Sequence, residues 1–212
     1  MLDKAHYIVV EGPIGAGKTS LAKRLAERLQ AETLFEQAEL NPFLGRFYQQ
    51  PERWGMATQL SFLFQRIDQL TGLGTIEGER RVVADFLFDK DRLFAEQNLA
   101  EDELALYRRV HDSLQPTSAP QPDLVIYLQA PPDTLLARIN RRGLETERRI
   151  TETYLHQVAE RYTRYFYQYE AAPLFIVDTD KLNPVDRDED FELLLTRLRE
   201  MRGYREFFGY AD

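Results

Sequence analysis

The 212-residue sequence contains no cysteine, only three histidines and a single tryptophan. Without cysteine there can be no disulfide, no thiolate metal site and no thiol nucleophile. So few histidines also argue against a multi-histidine metal centre. Long hydrophobic runs are missing too: the apolar stretches are strand-sized, so no membrane partner is expected. The opening "MLDKAHYIVVEG" passes directly into a strand pattern and leaves no room for the apolar core and cleavage site of a secretory signal. The expected compartment is therefore the cytoplasm. A basic excess is also lacking, with 27 Lys and Arg against 35 Asp and Glu and a net charge of -8. That balance argues against a nucleic acid polymer as partner. It does not exclude a nucleotide, which needs only a few local cations and backbone amides.

What is present is ordinary for a globular chain, with 43% hydrophobic and 29% charged residues. Its length suits one α/β domain spanning 1–212. Four short apolar, β-branched runs ("YIVV", "RVVAD", "DLVIYLQ" and "LFIVD") and a weaker fifth, "ETLFE", do not alternate cleanly. That is the pattern of parallel strands covered on both faces. Helical stretches separate them, at about 17–30, 41–49, 52–71, 88–117 with a break around Leu99–Glu101, 133–142, 147–171 and 189–202. The expected fold is a doubly wound three-layer α/β/α arrangement around a five-stranded parallel sheet. The Pro-rich segment 115–122 reads as a tether between helix and strand. In such a sheet ligands bind beyond the carboxyl ends of the strands. Acids stand at four of those ends: Glu11, Glu36, Asp85 and Asp178.

"GPIGAGKT" fits G-x-x-x-x-G-K-[ST] from Gly12 to Thr19, between a buried strand pattern and an amphipathic helix pattern. Gly12, Pro13, Ile14, Gly15, Ala16 and Gly17 would turn backbone amides toward an anion. The following helix would direct its positive end at the same point. Lys18 would bridge the outer phosphates, and the Thr19 hydroxyl would be an Mg²⁺ ligand with Asp85 as the second metal-side carboxylate. The implied cofactors are ATP and Mg²⁺. A guanine-reading N-K-x-D segment is absent.

Glu36 stands where the second strand releases the chain, and a carboxylate there can take the proton of an attacking hydroxyl. In helix 52–71, Met56, Leu60, Leu63, Ile67 and Leu70 form an ordinary core stripe. Gln59 and Arg66 lie two turns apart on one edge of it, with Phe62 further around. They could read a planar heterocycle; taken alone, a surface glutamine and a snorkelling arginine explain them better.

With these residues in view, the chain resembles the deoxyribonucleoside kinases, especially their bacterial deoxyadenosine/deoxyguanosine branch. The resemblance runs from "VVEGPIGAGKTSL" through "FEQAELNPFLGRFYQQPERWGMATQLSFLFQR" and "VVADFLFDKDRLFA" to "LLARINRRGLETE". It implies a P-loop NTPase-like fold and ATP-dependent 5′-phosphorylation of a deoxynucleoside, with deoxyadenosine, deoxyguanosine or deoxycytidine favoured over thymidine. It implies Glu36 as the base toward the 5′-hydroxyl, with Tyr48 and Glu147 holding the 3′-hydroxyl. Gln59 would read the base edge beside a paired Arg66 and Asp91, with Trp54 and Phe62 walling the pocket. Asp89 is the alternative to Asp91 if the register slips. A helical lid at about 138–149 would bring Arg138 and Arg142 over the transferring group. The loop around Asp180–Asn183 would face the donor's adenine, and a homodimer is expected, with exposed aromatics near helix 154–169 contributing.

Two positions depart from the family's pattern. Phe86 and Leu87 follow Asp85, where an arginine and a serine are usual, and Leu144 stands where a second lid arginine is common. Both remove positive charge, which Arg141 or Arg92 could restore. Two other functions fit the phosphate loop: a nucleoside monophosphate kinase, which needs a basic clamp for the acceptor phosphate, and a nucleotide-gated binding module without transfer.

Overall fold

The computed structural model describes residues 1–114 and 119–209. Of the expected tether, 115–118 therefore lie outside the described residues. The strands are β1 (Tyr7–Glu11), β2 (Glu32–Leu34), β3 (Val82–Ala84), β4 (Leu124–Gln129), β5 (Leu174–Asp178) and β6 (Arg205–Phe208). Among the described residues they form one sheet in the order β2-β3-β1-β4-β5-β6, with every pairing parallel. The sheet thus has six strands where the sequence pattern predicts five. The extra strand, β6, closes the edge beside β5, and its residues alternate exposed and half-buried. An edge strand of this kind carries no continuous apolar run, so nothing in "REFF" announces it.

The helices are α1 (Lys18–Leu29), α2 (Leu44–Phe47), α3 (Pro51–Leu73), α4 (Lys90–Asn98), α5 (Glu101–Ser113), α6 (Pro132–Arg142), α7 (Glu152–Tyr167) and α8 (Asp188–Glu200). Alternate strand residues point to opposite faces. On one face Ile8, Val10, Ile126 and Phe175 pack against Leu21 and Leu25 of α1 and Leu194 and Leu198 of α8. On the other, Val9, Ala84, Val125 and Tyr127 meet Leu93 of α4 and Val158, Tyr162 and Phe166 of α7. Both faces are covered, which is why β1 is buried along its whole length. A separate cluster around Leu63, Ala95 and Tyr107 ties α3 to α4 and α5.

The helix ends follow local chemistry. Pro51 opens α3 in its first turn, where a missing N–H costs nothing. The expected break near Leu99–Glu101 separates α4 from α5. Gly143 ends α6 with φ 69°, a left-handed conformation suited to glycine. From β1 the chain moves first toward β3 and β2, then toward β4 and β5, so the crevice at the carboxyl end of β1 is the switch point. The site lies there.

Candidate active site

The phosphate loop leaves β1 and is shaped by its glycines. Gly15 has φ 85° and Gly17 φ 96°, in the region that side chains rarely adopt. A Cβ on Gly15 would also lie 2.7 Å from the Leu135 carbonyl. Gly17 stands at the start of α1 and no side chain caps that end, which leaves the first N–H groups available to an anion. Lys18 Nζ donates to the Pro13 carbonyl at 3.1 Å. Burial lowers the Lys18 ammonium from its usual range, and the Lys90 charge adds to this. A bound phosphate would reverse that tendency by supplying the missing counter-charge.

Three of the four strand-end acids converge here. The Thr19 hydroxyl donates to Asp85 Oδ2 at 2.5 Å, and Asp85 Oδ1 accepts the Glu36 N–H at 2.7 Å. Asp85 therefore ties the phosphate helix to the acceptor strand end. Thr19 and Asp85 give a pair of hard oxygens beside a phosphate site. That donor set suits Mg²⁺, which keeps water and phosphate in most of its positions. Glu11 is fully buried and accepts from Gly12 N at 2.9 Å, Leu87 N at 2.6 Å and Tyr162 Oη at 3.0 Å. Asp178 departs from the expected set: it accepts Asp180 N at 3.0 Å and serves as a turn residue after β5.

Glu36 carries two cations. Its Oε1 accepts from Arg66 Nε at 2.9 Å and from Arg66 Nη2, and its Oε2 accepts from Lys90 Nζ at 2.9 Å. Burial acts to raise the Glu36 carboxyl, but the Arg66 and Lys90 charges outweigh it and hold the group well below the usual carboxylate range. Arg66 also pairs with Asp91, which is fully buried. Burial pushes the Asp91 carboxyl up, with Arg66 opposing. Asp89 instead accepts from Tyr165 Oη at 3.3 Å, so Asp91 is the partner of Arg66. Gln59 and Arg66 are each only 3% exposed, so the surface-decoration reading of helix 52–71 fails.

Around this network lies a cavity whose lining includes Tyr48, Gln59, Phe62, Arg66, Glu147 and Tyr154. The Arg66 guanidinium sits 5.0 Å from the Phe62 ring centre. Burial pushes the Tyr48 phenol well up, and Tyr154 and Glu147 contribute. Glu147 accepts from Arg142 Nη2 at 2.5 Å and Nε at 3.1 Å. Trp54 lies outside the lining. It stacks on Phe43 at 5.9 Å, with the guanidinium groups of Arg46 and Arg53 at 4.9 and 5.4 Å from its ring centre.

A second cavity, on the far side of the phosphate loop, is lined by Gly15, Gly17, Arg138, Arg142 and the loop from Leu182 to Asp186. Arg138 donates to Thr179 Oγ1 at 3.0 Å and to the Thr179 carbonyl at 2.5 Å, which seats it against that loop. Burial lowers its guanidinium from the usual value. Asp180 departs from its expected place facing the donor. Its side chain accepts from the Thr134 hydroxyl, and the cavity wall is made by Thr179 and its neighbours from Leu182 onward. Gly15 and Arg142 line both cavities.

Neither arginine expected to restore the charge missing at Phe86 reaches the carboxylate cluster. Arg92 pairs with Asp112 at 2.8 Å on the surface, and Arg141 with Asp186 at 3.6 Å. Lys90 does reach it, and sequence reasoning missed it. Three acids gathered at strand ends and short of nearby cations were the available signal.

Residues 8–201 match the family model described as deoxynucleoside kinase. The chain is 32% identical over 206 residues to deoxyguanosine kinase of Bacillus subtilis, covering 94% of this chain and 99% of that one. It is 30% identical over 192 residues to deoxyadenosine/deoxycytidine kinase of the same organism, covering 86% and 88%. A solved structure of deoxyadenosine kinase from M. mycoides, with products dCMP and a flexible dCDP bound, superposes with a TM-score of 0.79 at 25% identity. The match covers 92% of this chain and all of that one.

Proposed function

Because the chain belongs to the deoxynucleoside kinase family, and is thus a phosphotransferase, we propose that it moves the γ-phosphoryl group of ATP to the 5′-hydroxyl of deoxyadenosine, deoxyguanosine or deoxycytidine. The observation that carries this reading is Glu36: a carboxylate held ionised between the phosphate loop and the acceptor cavity.

The donor's phosphates lie in the loop from Gly12 to Thr19, against Lys18 and the start of α1. Glu36 accepts the 5′-hydroxyl proton as that oxygen bonds to the γ-phosphorus, and the bond to the β–γ bridging oxygen breaks to release ADP. A carboxylate this acidic is a weak base. It suits a loose transition state, in which orienting the hydroxyl counts for more than early deprotonation. Thr19 and Asp85 would hold Mg²⁺, which would neutralise charge on the phosphate oxygens. Arg138 and Arg142, in a lid over about 138–149, supply donors for the equatorial oxygens. Tyr48 and Glu147 hold the sugar 3′-hydroxyl.

Base selection follows from hydrogen-bond inventory. Arg66 is locked to Asp91 and has donors but no acceptor. A base edge presenting acceptors to it is matched, whereas the N3–H of thymidine would set donor against donor. Gln59 supplies an acceptor oxygen and a donor NH2 beside it. A basic clamp for a monophosphate acceptor finds little support: among the described lining residues Arg66 and Lys90 are each committed to a buried carboxylate, while Lys18 and Arg142 serve the donor's phosphates in this reading.

Among the described residues no helix is long and apolar enough to cross a membrane. A cytoplasmic homodimer of a single kinase domain spanning 1–212 completes the proposal. Transfer of label from ATP–Mg²⁺ to the four common deoxynucleosides and their 5′-monophosphates, side by side, tests it. Label on a purine deoxynucleoside or deoxycytidine, and not on monophosphates, is expected. Label on monophosphates alone would overturn the acceptor pocket.

A further inference from the structure

Lys90 is 3% exposed, and burying an ammonium costs several kcal/mol unless it is well partnered. It has two acidic neighbours. Glu11 Oε2 lies 3.9 Å from Nζ, while Glu36 Oε2 lies at 2.9 Å. Glu11 is already supplied by Gly12 N, Leu87 N and the Tyr162 hydroxyl, so it does not require the lysine. The ammonium therefore belongs to Glu36.

The backbone delivers it there. After β3 the chain makes a turn in which Lys90 N donates to the Leu87 carbonyl at 3.2 Å, while Leu87 N is held by Glu11. Phe86 fills the fully buried position beneath, its ring centre 5.9 Å from Nζ. Glu11 thus clamps the first residue of the phosphate loop and the segment that carries Lys90.

We propose that Lys90 is a positioning residue for phosphoryl transfer, fixing the plane of the Glu36 carboxylate through Oε2. The inference rests on the reading of Glu36 as the acceptor's base. Arg66 serves the other oxygen but also serves Asp91 and, in the proposed function, would face the base. Lys90 is the cation that stays with Glu36 whatever base occupies the pocket. The charged and titratable groups facing this pair are Glu11 from β1, Lys18 from the start of α1, Asp85 after β3, Asp91 from α4, Arg66 from α3, Tyr48 after α2 and Tyr162 from α7.

The test is kcat, and KM for ATP, in the wild type, Lys90→Met and Lys90→Arg. In Lys90→Met kcat should fall about tenfold or more, with KM for ATP within about twofold. Lys90→Arg should recover most of that kcat, a rescue that a packing role would not give. A wild-type kcat in Lys90→Met, or a loss of kcat and ATP binding together that arginine does not rescue, would overturn the proposal. If Lys90→Met does not fold, the ¹⁵Nζ resonance of Lys90 decides: it should shift between the wild type and Glu36→Gln, and an unmoved signal counts against the pairing. Should Glu36→Gln itself transfer phosphate, the reading of the base fails. An inactive Glu36→Gln beside a Lys90→Met with wild-type kcat would sink the role of Lys90 alone.

Discussion

On the donor side the chain works with backbone. Gly15 and Gly17 set left-handed turns, the start of α1 offers its N–H groups, and the cations nearby are partly in water, with Arg141 74% and Arg142 45% exposed. On the acceptor side it works with buried side chains. Arg66 and Lys90 are each 3% exposed and Asp91 is fully buried, and each leans on a partner from another element. In stability the donor site should thus tolerate changes in side-chain charge but not an added Cβ, whereas the acceptor site depends on every pair remaining whole.

Removing one partner of the most buried pair should have the largest effect. Asp91→Ala leaves the Arg66 guanidinium charged and half-served inside the protein, a loss of about 3–5 kcal/mol of stability. Denaturant unfolding measures it. A double change of Asp91 to Ala and Arg66 to Met should cost less than the single one and admit thymidine. A donor-side change should separate activity from stability. Arg138→Ala should lower kcat about 100-fold, or about 2.7 kcal/mol of transition-state stabilisation, while the melting temperature hardly moves. Steady-state kinetics beside a thermal melt tests both halves.

Acid sharpens the contrast further. Burial opposes ionisation of Glu36, but Arg66 and Lys90 hold its folded carboxyl below the ordinary value. The stability it contributes is therefore complete above the unfolded glutamate value of about 4.3. That contribution is lost as pH falls from there toward the folded value. Melting temperature should drop more steeply below pH of about 4 in the wild type than in Glu36→Gln. The smallest effect belongs to the surface: Arg92→Ala breaks an exposed pair with Asp112 and should change stability by less than about 1 kcal/mol, with kcat unchanged.

The same contrast governs what could be read from the sequence. The phosphate loop is contiguous, so Gly12 to Thr19 declares its chemistry in eight neighbouring letters, and the helices flanking it follow from their apolar spacing. The buried strands β1, β3, β4 and β5 were legible for the same reason. Strand β6 was not, because an edge strand needs only half a face of apolar residues. In the acceptor site, Glu36 was reached from its place at a strand end, but the pairing of Arg66 with Asp91 came only through resemblance, since residues so far apart in the chain show no mutual spacing. Lys90 was hidden between two aspartates, where its charge reads as a solvated surface run. The roles of Asp180 and Trp54 were implied by resemblance alone, and here the Thr134 hydroxyl and the Phe43 ring are their partners.

The central claim is that Glu36 prepares the acceptor while the phosphate loop independently holds the donor. Single-turnover transfer from labelled ATP–Mg²⁺ in Glu36→Gln, with ATP affinity measured on the same preparation, tests it most directly. Loss of transfer by about 100-fold or more with ATP binding preserved is the expected result. Transfer at near wild-type rate in Glu36→Gln would contradict it.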